Sequence, residues 1–115
     1  MTRGQETISS KDATGNSNGK IDSYVIKGGP QVLLSLFGYN SGAEQFIHLH
    51  DAAAQPLDGT VPLHKFKVAA ADNYGVLIPL TGINFSKGIV ACVSTTADTT
   101  TLGAKEVTML ATIVA

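Results

Sequence analysis

QVLLSLFGYNSGAEQFIHLHD, residues 31–51, holds two apolar runs separated by a polar, glycine-containing break. In an extended chain alternate side chains point to opposite sides, so Val32, Leu34 and Leu36 face one way and Leu33, Ser35, Phe37 and Tyr39 the other. In the second run Ile47 and Leu49 oppose Phe46, His48 and His50. Neither run shows the 3.6-residue apolar stripe of a helix, and both have strand length. Asn40, Ser41 and Gly42 are turn formers, because their side chains bond to local backbone or, for glycine, leave positive φ open. The stretch therefore predicts two strands, near 31–38 and 45–51, joined by a turn.

The same pattern extends in both directions. Short runs rich in β-branched residues predict further strands near 22–27, 61–68, 74–80, 88–96 and 105–114, with GGP at 28–30 and QPLDG at 55–59 as breaks. Seven strands within roughly 95 residues is the spacing of a sandwich or jelly roll. The alanine triplets at 52–54 and 69–71 are too short to nucleate a helix. At 115 residues the chain fits one hydrophobic core. Residues 1–20, MTRGQETISSKDATGNSNGK, hold little apolar beyond Met1 and Ile8 and are rich in Ser, Thr, Asn and Gly. The expectation is an all-β, jelly-roll-like β-sandwich over 21–115, preceded by an extended N-terminal arm over 1–20. Ordering about 20 residues costs on the order of 20 to 40 kcal/mol. Two apolar side chains do not offset that, so a neighbouring subunit is the expected support for the arm.

Both faces of some runs are apolar. In VTMLATIV, Val107, Met109, Ala111 and Ile113 oppose Thr108, Leu110, Thr112 and Val114. A sandwich buries one face of each sheet, so a second apolar face implies either contact with another chain or cover by a loop or tight barrel.

Composition excludes several classes. Charged residues are 15% of the chain, and 8 Lys+Arg nearly balance 9 Asp+Glu, so no basic field exists to hold nucleic acid. The apolar runs fall short of the roughly 20 residues of a membrane-spanning helix. No apolar signal-peptide core stands near the start, and the single Cys92 has no internal partner, which points to synthesis in a reducing cytoplasm.

Candidate chemistry is sparse. His48 and His50 share one face of the 45–51 strand, but a catalytic zinc site takes three ligands and the third histidine, His64, belongs to a different run. A metal-assisted hydrolase using His48, His50 and His64 is thus the enzymatic alternative to an exposed or interface-facing pair that acts as a pH-sensitive contact. TGNSNGKID at 14–22 echoes a calcium loop through Asn16, Asn18 and Gly19, but Thr14 and Val25 occupy positions where acids are needed, leaving a turn. Cys92 reads as an inert core thiol, and Asp51, Asp58, Asp72 and Asp98 as turn-capping acids. Gly28 and Gly29 are followed by Pro30 and a strand, not by the helix of a phosphate loop. No catalytic residue, metal or cofactor is expected.

The blocks LLSLFGYNSGAEQFIHLHDAAAQPLDGTVP and NYGVLIPLTGINFSKGIVACVSTTADTTTLGA resemble small structural proteins of tailed-phage virions, over most of residues 31–115. The resemblance lies in packing and turn motifs. It implies a non-enzymatic β-sandwich of the virion, a capsid cement or decoration protein bridging neighbouring shell subunits, with the major capsid protein and copies of itself as partners. A tail or fibre module that binds a host surface ligand is the alternative. The candidate subunit contacts are Ile8, Phe37, Tyr39, Phe46, His48 and His50.

Overall fold

The structure is a computed structural model and describes residues 5–10, 19–78 and 82–114. Its strands are β1 (Gln5–Ser9), β2 (Ser23–Gly28), β3 (Gln31–Asn40), β4 (Gln45–Asp51), β5 (His64–Val68), β6 (Asp72–Leu77), β7 (Ile83–Phe85), β8 (Gly88–Ser94) and β9 (Leu110–Val114). All pairings are antiparallel, and they are nested: β1 with β9, β2 with β8, β3 with β6 and β7, β4 with β5. Two more, β3 with β9 and β4 with β8, arise when that long hairpin is wrapped on itself. The result is one sheet of order β1-β9-β3-β6, with β7 also on β3, packed on a second of order β2-β8-β4-β5. This is an all-β sandwich with jelly-roll strand order, as the spacing of apolar runs predicts.

The core lies between the sheets. Leu33, Leu36, Ile47, Leu49, Ala91 and Ile113 are buried there, and each large aliphatic so placed stabilises the fold by about 1.5–3 kcal/mol relative to exposure. Simple alternation places Leu34 and Leu36 on one face and Leu33 on the other. The structure instead buries Leu33 and Leu36 together, because the β3–β9 register shifts between Leu33 and Ser35. A bulge inserts one residue and reverses the parity beyond it. From Leu36 onward the alternation is regular, with Phe37 and Tyr39 pointing outward.

Part of the segment expected as an arm is a strand. Gln5–Ser9 pairs along β9 of the same chain, and Ile8, in register with Ala111, is partly buried against the core. Ser10 prolongs the contact: its N–H donates to the Met109 carbonyl at 2.8 Å and its hydroxyl accepts from the Met109 N–H at 3.1 Å. Residues 1–4 and 11–18, which include most of the calcium-loop echo, lie outside the described residues, as does the end of the run predicted at 74–80.

Two local features set the corner after β3. Asn40 is buried and fully bonded: its amide donates to the carbonyls of Ala43 at 2.8 Å and Ala69 at 3.0 Å, and its oxygen accepts from Gly42 N–H and the Gln45 amide, both at 3.0 Å. One side chain therefore shapes the 40–45 turn and ties it to the chain after β5. At Gly38 an added Cβ would lie 1.9 Å from the Thr108 carbonyl oxygen, so the segment leading into β9 approaches β3 as closely as only glycine allows.

Candidate functional site

The two outer faces of the sandwich differ. On the β1-β9-β3-β6 sheet, Ser9, Leu110, Phe37 and Gly75 form one cross-strand row. The Phe37 ring packs against Gly75, where an added Cβ would lie 2.3 Å from its Cδ1. Tyr39 stands beside it, opposite Asn73, and Leu77 extends the apolar surface along β6. Phe37, Tyr39 and Leu110 are 43%, 41% and 43% exposed and Leu77 is 80% exposed. A groove of about 460 Å³, lined in part by Ser9, Phe37, Tyr39, Thr108 and Leu110, crosses this face. Of the two explanations for a second apolar face, cover by the chain's own loops is not met on this sheet among the described residues.

The other sheet is covered by its own chain. His48, in register with Cys92 of β8 and Lys65 of β5, points away from Ile47 and Leu49 and thus outward from the core. Both His48 and His50 are nevertheless buried, at 0% and 3% exposure. Residues 95–103 supply Thr100, itself buried, whose hydroxyl lies 2.8 Å from Nδ1 of His48 and 2.8 Å from Nε2 of His50. Residues 52–63 close the layer from the other side. Thr100 N–H donates to the Thr60 carbonyl at 2.9 Å, Gly59 N–H donates to the Thr100 carbonyl at 2.8 Å, and Leu63 N–H donates to the Leu49 carbonyl at 2.8 Å. His50 also lines a cleft with Pro56, Thr60, Val61, Pro62 and Leu63.

Burial sets the electrostatics here. It holds both imidazoles below the ordinary histidine range; backbone groups of Ala97 and Thr96 oppose this at His48, while Lys65 adds to it, and at His50 the neighbouring His48 adds to it. Among the described residues His48 Nε2 is buried without a hydrogen-bond partner. Burial likewise pushes the Cys92 thiol up to about 12, with Asp22 and Asp58 contributing. A thiol so placed stays protonated and inert at neutral pH.

The structure does not bring the three histidines together. His64 pairs with Leu49 and so shares the face opposite His48 and His50, at an exposed position. Among the described residues no group of three His, Cys, Asp or Glu side chains could hold a metal ion. Of the other contact candidates, Phe37 and Tyr39 stand on the open face. Phe46 is half-buried between Ser94 and Lys67 in the covered sheet, and Ile8 belongs to the core side. The pair expected as exposed or interface-facing is therefore internal, because the 95–103 loop folds over it.

Asp51 is a turn anchor. Its carboxylate accepts from Lys87 N–H at 2.8 Å and from Ser86 N–H and hydroxyl at 3.2 and 2.9 Å, bonds that hold it below the usual carboxylate range. What the expectations did not include is the exposed apolar set on the loop 52–63: Leu57 at 84%, Val61 at 72%, and Leu63. The strand expected over 61–68 starts only at His64, so Val61 and Leu63, on either side of Pro62, belong to the loop. No family model matches the sequence, and neither curated proteins nor solved structures give a match to it.

Proposed function

We propose that the domain is a structural component of a phage virion, a capsid cement or decoration protein that bridges neighbouring shell subunits. The observation that carries this reading is the placement of exposed apolar side chains on both layers: Phe37, Tyr39, Leu77 and Leu110 on one sheet, Leu57, Val61 and Leu63 on the loop covering the other. A molecule with one sticky face can cap a partner. One with two, on opposite sides, can join two partners, and large exposed apolar patches on a folded domain are otherwise a solubility liability. The motif resemblance of residues 31–115 supports the same role, with the major capsid protein and further copies of this chain as partners. The rigid nested sandwich suits it, since a clamp transmits force only if its own strands hold.

The test is the number of copies per purified particle, measured by quantitative mass spectrometry against the major capsid protein. Hundreds of copies are expected. A few copies per particle would move the protein to the tail or fibre and overturn the shell-bridging reading, and absence from particles would remove it from the virion altogether.

A further inference from the structure

Three pieces of chain meet at Thr100. Its hydroxyl bridges His48 and His50 of β4, its backbone exchanges hydrogen bonds with Gly59 and Thr60, and it is part of the 95–103 loop. That loop is stiffened further from within. Ser94 hydroxyl donates to the Thr96 carbonyl at 2.7 Å and accepts from Thr101 N–H at 3.0 Å, and Thr96 hydroxyl donates to the Thr99 carbonyl at 2.6 Å.

A hydroxyl carries one proton, so of the two imidazole nitrogens on Thr100 one accepts from it and the other donates to it. The bridge is complete when both rings are neutral. If both were protonated, both nitrogens would be donors, the hydroxyl proton would lose its acceptor, and two charges would share a buried layer with ring centroids 6.2 Å apart. The charged and titratable groups facing this layer do not relieve that. From β5, Lys65 lies in register with His48 and is itself positive, paired with Asp98 of the 95–103 loop at 2.6 Å; Lys67, next along, pairs with Glu44. From β8 comes the neutral Cys92. From the 52–63 loop, Asp58 accepts from Leu102 N–H. Asp51, at the end of β4, is taken by Ser86 and Lys87. Among the described residues no carboxylate bonds to either ring.

We propose that the His48–Thr100–His50 bridge is an acid-release latch, in which protonation of the imidazoles frees the 95–103 and 52–63 loops from β4 while the β1-β9-β3-β6 sheet stays paired. Burial of both rings supports the direction: the closed state favours the neutral forms, so closure is complete above the ordinary imidazole value of about 6.5 and is lost as pH falls below it. Each imidazole that must stay neutral raises the open-to-closed ratio by up to about tenfold per pH unit, and two together by up to about a hundredfold. The released loops carry Leu57, Val61 and Leu63, so acid would unfix one of the two apolar surfaces. The latch itself rests on the bridge geometry and stands apart from the virion reading.

Hydrogen exchange read by mass spectrometry at pH 7.5 and 5.5, with times scaled for the intrinsic pH dependence of exchange, tests it on the full chain. Peptides covering 52–63 and 95–103 should exchange at least tenfold faster at pH 5.5, and peptides of β3 and β9 should not change. In the His48→Gln, His50→Gln double variant the pH difference should shrink below twofold. Equal scaled rates at the two pH values, equal acceleration of both sheets, or an undiminished pH difference in the variant would each overturn the proposal. Should the variant not fold, ring titration of the wild-type chain by NMR replaces it. Protonation of both rings below the pH of a histidine peptide, with loop amide shifts moving at the same midpoint, supports the latch; midpoints at or above the peptide value overturn it.

Discussion

Replacing Thr100 by valine keeps the shape of the side chain and removes only the hydroxyl, which leaves Nδ1 of His48 and Nε2 of His50 without the partner each now has at 2.8 Å. Both rings are buried, and His48 already carries one orphaned nitrogen. A buried polar group left unsatisfied costs about 1–3 kcal/mol. Two such groups, less a small gain from the added methyl, place the loss at about 2–4 kcal/mol at pH 7.5. For a domain near this size each kcal/mol lowers Tm by about 4 °C or somewhat more, so the melting temperature should fall by about 10 °C or more. Thr100→Ser is the control, since it keeps the hydroxyl and gives up one methyl, at about 1 kcal/mol. Urea midpoints at pH 7.5, with unchanged m values, measure both. A valine variant within about 0.5 kcal/mol of wild type, or a serine variant less stable than the valine one, would refute the assignment of the hydroxyl as the bridge.

Three further outcomes follow from the same geometry. Because the folded state holds both histidines below their unfolded range, the unfolded chain binds more protons as pH falls through about 6.5, and stability should drop between pH 7.5 and 5 by up to about 1.4 kcal/mol per pH unit for each ring; urea midpoints that stay flat over that range contradict this, while the depressed Asp51 and Asp98 lose their contributions only at lower pH. Gly38→Ala forces a Cβ against the Thr108 carbonyl and should cost about 3 kcal/mol or more, seen as a large loss of Tm; a normal melting curve would show that the two segments can part freely. Cys92 should resist iodoacetamide at pH 8 in the folded chain and react in urea, because burial pushes its thiol to about 12; equal labelling in both states would show that the layer over β8 is open.

Much of the fold is legible in the chain, because its apolar runs have strand length and its turns carry Asn, Gly and Pro. β1 and β7 are not. QETIS offers a single apolar residue, Ile8, and INF is too short to show alternation, so both depend on partners far along the chain, β9 and β3. Nor does alternation foresee the bulge near Leu34, which puts Leu33 and Leu36 on one side. The histidine pair teaches the same lesson at the site. Spacing along β4 correctly puts His48 and His50 on one face, away from Ile47 and Leu49, but nothing local says that a loop fifty residues later will cover that face. Burial of the rings is a tertiary fact, made by Thr100 and the bonds that hold it to Gly59 and Thr60. The open face of the other sheet, by contrast, was visible in Phe37, Tyr39 and Leu110 as a second apolar side.

The bridging claim is tested most directly on particles. Shells lacking this protein are incubated with wild-type chain or with a Phe37→Ser, Leu110→Glu double variant. Both substitutions fall at partly exposed positions, so the isolated domain should keep its stability within about 1 kcal/mol. Occupancy and the temperature at which the shells break open are then measured together. The account predicts that wild-type chain fills the shells and raises that temperature, while the variant binds at least tenfold more weakly and protects little. Equal occupancy and equal protection by the variant would contradict it.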